Sequence, residues 1–358
     1  MMRLRRGKDP ASARSPGGAE LEARLALAAV PGVGSVSHRE RCRRHGSAVR
    51  ALAELPGPSR LAALETARRT LAALDAVGGR ALVPGDEHYP GELLDLPDPP
   101  AVLFAIGDVA LLCRPLVAIV GTRWATRSGL RVARHLGETV ARGGAVVVSG
   151  MARGIDAEAH LGALEAGGPT IAVLGTGPDV AYPRAHVALH RRIAEGGLLL
   201  SELPPGERAD AGSFPRRNRI IAALGRVTVV VEAGHRSGAL ITAAHALELG
   251  RAVAAVPGPI DLPQCAGSNL LLRDGAQVIT DAADLTQLAG LAAPRRAPEP
   301  ALDGPAAALW EALREGAADV ETLAARTRLP ARACLTAVSE LELAGLVTCA
   351  LTGEVARR

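Results

Sequence analysis

The 358-residue chain is 48% hydrophobic and 22% charged, proportions of a folded protein that exclude a disordered one, and its length predicts two or three domains. The formal net charge of +4 permits an anionic partner without requiring one. Lys8 is the only lysine, which excludes both a Walker-type phosphate loop and a Schiff-base enzyme, since each needs a lysine at its centre.

Residues 1–18 are basic and aperiodic, with scattered Gly, Pro and Ser, and are expected to be disordered. They lack the apolar stretch of a signal peptide, and no run of about 18 apolar residues occurs, so no membrane span is expected. Residues 19–80 have helical periodicity, broken at VPGVGSVS (30–37) and LPGPS (55–59). A PGVGS turn between helices resembles the helix-hairpin-helix element, and Arg39, Arg41, Arg43 and Arg44 follow it. DNA contact and plain helical packing with a solvated basic face remain equally open there. Residues 82–114 are rich in proline and are read as a connector.

The rhythm then changes. Apolar runs recur in LVAIVGTR, AVVVSGMARGID, TIAVLGTGPD, GLLLSE, VTVVVEAG and AVAAVPGPI, each leading into a Gly-containing loop. Runs apolar on both faces suit buried parallel strands, and the amphipathic stretches at 127–142, 155–166, 184–195 and 237–249 suit their crossovers. The expected fold class is α/β, a doubly wound parallel sheet over 81–289. A Pro/Ala-rich linker (290–304) follows, and 305–358 has three helices and a hairpin around Thr352-Gly353, a winged-helix pattern. The third helix carries Arg332 as its only cation, so DNA reading and partner binding both stay open for the wing. The five cysteines (Cys42, Cys113, Cys265, Cys334 and Cys349) have no zinc-like spacing and read as reduced, mostly buried residues of a cytoplasmic protein.

Ligands of open parallel sheets bind beyond the carboxyl ends of the strands, so the loops become the candidate site. Gly121, Thr122 and Arg123 follow the first run, and Ser149, Gly150, Met151, Ala152, Arg153 and Gly154 the second. SFPRRNR (213–219), read as a loop before the helix starting at Ile220, adds Phe214, Arg216, Arg217, Asn218 and Arg219. Glycine lets backbone amides meet phosphate oxygens, and arginine binds phosphate with two donors. Three of six aromatic residues, Trp124, Tyr182 and Phe214, fall in the loops of this rim, Tyr182 with the one that follows the third run. Phe214 either stacks on a base or plugs the core, whereas Trp124 and Tyr182 are read as packing. Asp156, Asp179, Glu202 and Glu232 are read as holding amides and arginines, not as acids or bases. GTGPDV lacks the third glycine of the dinucleotide fingerprint and lies after the wrong strand, so no NAD is expected. Single-stranded nucleic acid fits the arginines and rings best.

Seven segments carry a resemblance: VAIVGTRWATRSG, VVSGMARGIDAEAH, TIAVLGTGPDVAYPRAH, LLSELPPG, FPRRNRIIAALG, VVVEAGHRSGALITAAHALELGR and AVPGPI. In this order they resemble the DNA-processing protein A (DprA, or Smf) family. The resemblance implies an extended Rossmann-like domain, flanked by an N-terminal helical (SAM or helix-hairpin-helix-like) domain and a C-terminal winged helix. It implies sequence-independent binding of single-stranded DNA, protection of incoming strands in natural transformation and loading of RecA recombinase against single-strand-binding protein. It also implies a homodimer with no cofactor and no catalytic residues. The binding pocket it implies falls on the same rim: 121–123, 149–154 and Phe214 to Arg219. A competing class, the nucleotide phosphoribohydrolases, carries a PGGxGT motif that EAGHRSGALITA lacks.

Overall fold

Turn chemistry sets the N-terminal helices of this computed structural model, which describes residues 17–210, 212–291, 300, 302–350 and 353–357. Most of the expected N-terminal tail, including Lys8, most of the linker, and Thr352 of the expected hairpin turn lie outside the described residues. Four helices come first: α1 (Gly18–Ala28), α2 (Ser35–His45), α3 (Ala48–Ala53) and α4 (Gly57–Ala76). Gly46 closes α2 with a left-handed φ of 76°, and Ser47 Oγ caps α3 by accepting from the Arg50 amide at 3.2 Å. The Glu20 carboxylate of α1 accepts from the Ala48 amide at 2.8 Å, tying the first and third helices together.

A nine-stranded sheet follows: β1 (Arg80–Leu82), β2 (Leu103–Gly107), β3 (Leu116–Val120), β4 (Val146–Ser149), β5 (Thr170–Leu174), β6 (Leu198–Ser201), β7 (Val227–Val230), β8 (Ala252–Ala255) and β9 (Gln277–Val278). Its spatial order is β1-β2-β6-β5-β4-β3-β7-β8-β9. β2 pairs antiparallel with both β1 and β6, and every other pairing is parallel. The Pro-rich connector therefore contains a strand, β2, and starts at the last residue of β1. Leu103–Gly107 is a short apolar run between prolines and turns, and its partners, β1 before it and β6 far along the chain (Phe104 pairs with Ser201), are not sequence neighbours, so nothing local marks it.

Side chains alternate across β3. Leu116, Ala118 and Val120 enter one core with Ile220, Ile221, Leu224 and Ala243, whereas Val117 and Ile119 enter the other with Leu136, Val140, Ile155 and Ala159. The helices α5 (Arg127–Arg142) and α6 (Ile155–Glu165) thus cover one face. α7 (Val187–Gly196) packs on β6, and α8 (Ser213–Leu224) and α9 (Gly238–Glu248) cover the opposite face from α5. α10 (Ala266–Arg273) and α11 (Ala282–Leu288) complete the unit. Val102 and Phe104 at the antiparallel edge share a third core with Leu25, Leu27, Leu52 and Leu74, so the N-terminal helices and the sheet belong to one unit spanning 1–295.

Residues 296–358 form a second unit. It contains α12 (Gly304–Ala312), β10 (Ala318–Asp319), α13 (Val320–Thr327), α14 (Ala331–Leu343), β11 (Val347–Cys349) and β12 (Glu354–Arg357). Leu309, Leu323, Cys334, Leu341 and Val355 form its core, and β10 adds a third strand to the expected hairpin. The outer face of α14 shows Leu335, Glu340, Glu342 and Leu343 beside Arg332. All five cysteines are free; Cys265 and Cys334 are buried, Cys42 is half-buried, and Cys113 and Cys349 are exposed, which corrects the expectation that most are buried.

Candidate functional site

Strand order reverses at β3: β4, β5 and β6 lie on one side of it and β7, β8 and β9 on the other. Such a switch point opens a crevice beyond the strand ends. Two adjoining clefts lie there. The larger, of about 630 Å³, is lined by Gly121, Thr122, Asp156, Asn218, Arg236, Ser237 and Thr242 among others. The smaller, of about 280 Å³, adds Gly150, Arg153, Gly175 and Tyr182. Arg123, Trp124, Ala152, Phe214 and Arg217 line both, so these residues form the ridge between them.

SFPRRNR is not a loop: it forms the first two turns of α8. Pro215 sits in the first turn, where a missing N–H costs nothing, and the Asp210 carboxylate accepts from the Ser213 amide at 2.7 Å. The helical twist of about 100° per residue then separates the cations. Phe214, Arg217 and Asn218, spaced i, i+3 and i+4, face the clefts. Arg219 faces away, donating to the Glu202 carboxylate at 2.8 Å, with Asp98 at 3.5 Å. Arg216 is exposed on a third side. The expectation that all three arginines line one rim is corrected by this geometry.

Arg217 is only 6% exposed. Its Nη1 donates to the Gly150 carbonyl at 2.8 Å and to the Val173 carbonyl, and its Nε donates to Asn218 Oδ1 at 3.2 Å. Burial lowers its pKa to about 10, opposed by the nearby Asp156 charge, so the guanidinium stays charged at neutral pH. Asp156 is itself buried, which raises its pKa against the pull of Arg217. Its carboxylate accepts from the Gly150 amide at 3.1 Å and the Ala152 amide at 3.5 Å.

Glycine amides were expected to be open to phosphate here. Instead, several rim amides, that of Gly150 among them, are held internally. Besides the two amides on Asp156, the Thr122 amide donates to the Glu232 carbonyl at 2.7 Å and the Trp124 amide to Thr122 Oγ1 at 3.2 Å. Thr126 donates to the Glu232 carboxylate from its amide at 2.9 Å and its hydroxyl at 2.5 Å. The Asp179 carboxylate takes the Gly206 amide at 2.8 Å. The four carboxylates thus hold amides and arginines, as read from the sequence. The glycines serve close packing: a Cβ at Gly150 would lie 2.5 Å from the Arg217 guanidinium, and one at Gly154, which has φ 78°, would lie 2.4 Å from the Thr122 carbonyl.

The groups left facing solvent are side chains. Arg123, Arg153 and Arg236 are exposed, Trp124 is 80% exposed and Tyr182 48%. Trp124 and Tyr182 therefore do not pack inside as expected. The chain turns into α5 at Thr126, whose Oγ caps the helix, and this leaves 123–124 at the crest. Half-buried Phe214 has its ring 5.0 Å from that of Tyr182, tilted 36°, with the Arg123 guanidinium 5.6 Å from its centroid. Ser149 and Met151 are buried and do not line either cleft: Ser149 Oγ donates to the Ile119 carbonyl at 2.6 Å, and the Met151 carbonyl contacts His186 Nδ1 at 3.0 Å.

A family profile, DNA recombination-mediator protein A, matches residues 80–290, the whole sheet unit after the N-terminal helices. The chain belongs to the DNA recombination-mediator protein A (DprA) family. A DprA winged helix domain matches residues 293–350. A DprA-named protein of Mycobacterium tuberculosis is 40% identical over 338 residues, covering 88% of this chain and 86% of its own. The solved DprA of Streptococcus pneumoniae superposes with a TM-score of 0.64 and 33% identity, covering 74% of this chain and 95% of that one. The DprA of Helicobacter pylori, whose structure concerns its single-stranded DNA binding mode, does so with a TM-score of 0.54 and 32% identity, covering 60% and 97%.

Arg236, Ser237 and Gly238, on the loop after the fifth apolar run, also line the larger DprA cleft, together with Thr242, which the sequence did not single out. One signal was present: Ser237 marks a helix start, its Oγ accepting from the Ala239 amide at 3.3 Å. Asn218 Nδ2 bridges to this loop through the Gly238 carbonyl at 3.2 Å.

Proposed function

We propose that this DprA-family chain binds single-stranded DNA without sequence preference across the two clefts. One observation carries the reading: Arg123, Phe214 and Tyr182 form a stack beside an exposed Trp124, on a ridge flanked by exposed Arg153 and Arg236. Rings accept any base and guanidinium groups meet the flanking phosphates, which is the chemistry of sequence-tolerant strand binding. The Helicobacter pylori relative, studied for its single-stranded DNA binding mode, supports the choice of ligand. The cleft carboxylate, Asp156, is committed to amides and to Arg217, which supports a binding protein and not an enzyme. In the same reading the protein works in the cytoplasm as a homodimer. It protects incoming strands during transformation and loads RecA while single-strand-binding protein leaves.

Fluorescence anisotropy with oligothymidine and a mixed-sequence oligonucleotide tests the binding. Both should bind, with affinity falling as salt rises, because phosphate contacts release counterions. Absence of binding, or insensitivity to salt, overturns the reading. Acceleration of RecA filament assembly on coated single strands tests the loading separately. Incubation with AMP should release no adenine; turnover would favour the phosphoribohydrolase class.

A further inference from the structure

Arg216 leaves the rim for a different groove. It lines a space of about 390 Å³ whose far wall is Val33, Gly34, Ser35, Thr66 and Thr70 of the N-terminal helices. A second groove of about 280 Å³ shares Ser35, His38 and Ala101 with the first and runs along the other flank of α2, past Arg39 and Arg43. The charge along this path is one-sided. Arg39, Arg41, Arg43 and Arg44 are exposed on α2, whose only acid is Glu40, 3.0 Å from Arg43. Arg39 and Arg216 have no ion-pair partner among the described residues. The carboxylate lining the first groove, Glu202, is held by Arg219 at 2.8 Å, and no carboxylate lines the second.

We propose that a single strand gripped at the rim continues over Arg216 into these two grooves, where Arg216, Arg39 and Arg43 pair with its phosphates. The inference rests on the rim binding single-stranded DNA. The grooves hold two aromatic rings, Phe104 and His38, and both are buried, so they track the backbone and do not stack bases. Continuity supplies the occupant: Arg216 is next in sequence to Arg217, which lines both rim clefts, and Pro215 between Phe214 and Arg216 lines the larger one.

The test uses the full chain and two oligothymidines, one of about 8 nucleotides that fills the rim and one of about 30 that reaches beyond it. The parent should bind the longer one with a steeper salt dependence. In Arg39→Ala/Arg43→Ala the short oligonucleotide should bind as before. The log–log salt slope for the long one should fall by roughly 1.4, from two contacts at about 0.7 each. Arg39→Glu/Arg43→Glu should deepen the loss, and unchanged thermal unfolding of both variants excludes misfolding. Equal slopes for the two lengths in the parent, or an unaltered long-strand slope in both variants, overturn the inference while the rim reading stands. The grooves would then be a solvated face or a dock for an acidic protein segment. If the parent binds neither length, the rim reading fails, and the inference with it.

Discussion

Arg217 Nη1 on α8 donates to the carbonyl of Gly150, at the end of β4, across 2.8 Å, and the same guanidinium fills the space a side chain at 150 would need. Gly150→Ala should therefore push Arg217 off its carbonyls. The expected cost is about 1–3 kcal/mol of stability, the usual range for overpacking, with weaker oligothymidine binding because both clefts lose a wall. Urea unfolding and anisotropy measure the two effects. Parental stability would mean that the guanidinium moves aside freely.

Arg123 and Arg217 should separate cleanly. Arg123 is exposed, so Arg123→Ala should weaken strand binding and change stability by less than about 0.5 kcal/mol. Arg217 is buried with the Asp156 charge nearby and donates to the Gly150 and Val173 carbonyls, so in Arg217→Ala binding and about 1–3 kcal/mol of stability should fall together. Chemical denaturation of the two variants side by side decides it.

Trp124→Ala removes the most exposed ring of the ridge. Stacking on an aromatic is worth about 1–3 kcal/mol per base, so the oligothymidine dissociation constant should rise roughly 5- to 150-fold with little change in unfolding midpoint. Trp124→Phe should restore most of the affinity. A Trp124→Ala variant that binds like the parent would move the strand elsewhere.

Glu202 and Arg219 form a nearly buried pair, with side chains 14% and 9% exposed. Glu202→Gln leaves Arg219 with the more distant Asp98 at 3.5 Å. Unfolding free energy should drop by about 3–5 kcal/mol, the usual result of breaking one side of such a pair. A drop below about 1 kcal/mol would mean the pair is effectively solvated.

His160 is fully buried, and burial, with the Arg217 and His186 charges, lowers its pKa to about 3 from 6.5. The Thr170 hydroxyl donates to the Val147 carbonyl, so the imidazole donates to Thr170 Oγ1 at 2.7 Å and stays neutral. Below pH 6.5 the unfolded chain takes up a proton that the fold refuses, so stability is lost as pH falls from about 6.5 toward 3. The loss from this residue should grow by about 1.4 kcal/mol per pH unit. Comparing denaturant midpoints of the parent and His160→Gln at pH 7 and pH 5 isolates it; His38 and His190, also lowered by burial, contribute equally to both proteins.

Six strands of the parallel sheet were legible because apolar runs such as LVAIV and VVVS have no polar face to confuse the period. β2 was not, because its pairing with β6 is long-range and its flanks read as proline-rich turn. The rim loops followed from strand order alone. What failed was orientation. A proline and three arginines look like a loop, yet Pro215 is harmless in a first helical turn, and once 213–224 is helical, residues two apart cannot share a face. The amides differ for a related reason: glycine marks where backbone comes close, and at Gly150 the approaching group is the Asp156 carboxylate, which the simple loop pattern sets apart from the strand end.

The amides that Asp156 and Glu232 hold have a consequence for how a strand would move. Hydrogen bonds from fixed backbone donors would lock each phosphate to one station. Where only swivelling guanidinium forks and flat rings meet the chain, one nucleotide is as good as its neighbour. The polymer would then creep along the lip in single-residue steps, without a large barrier at any one of them.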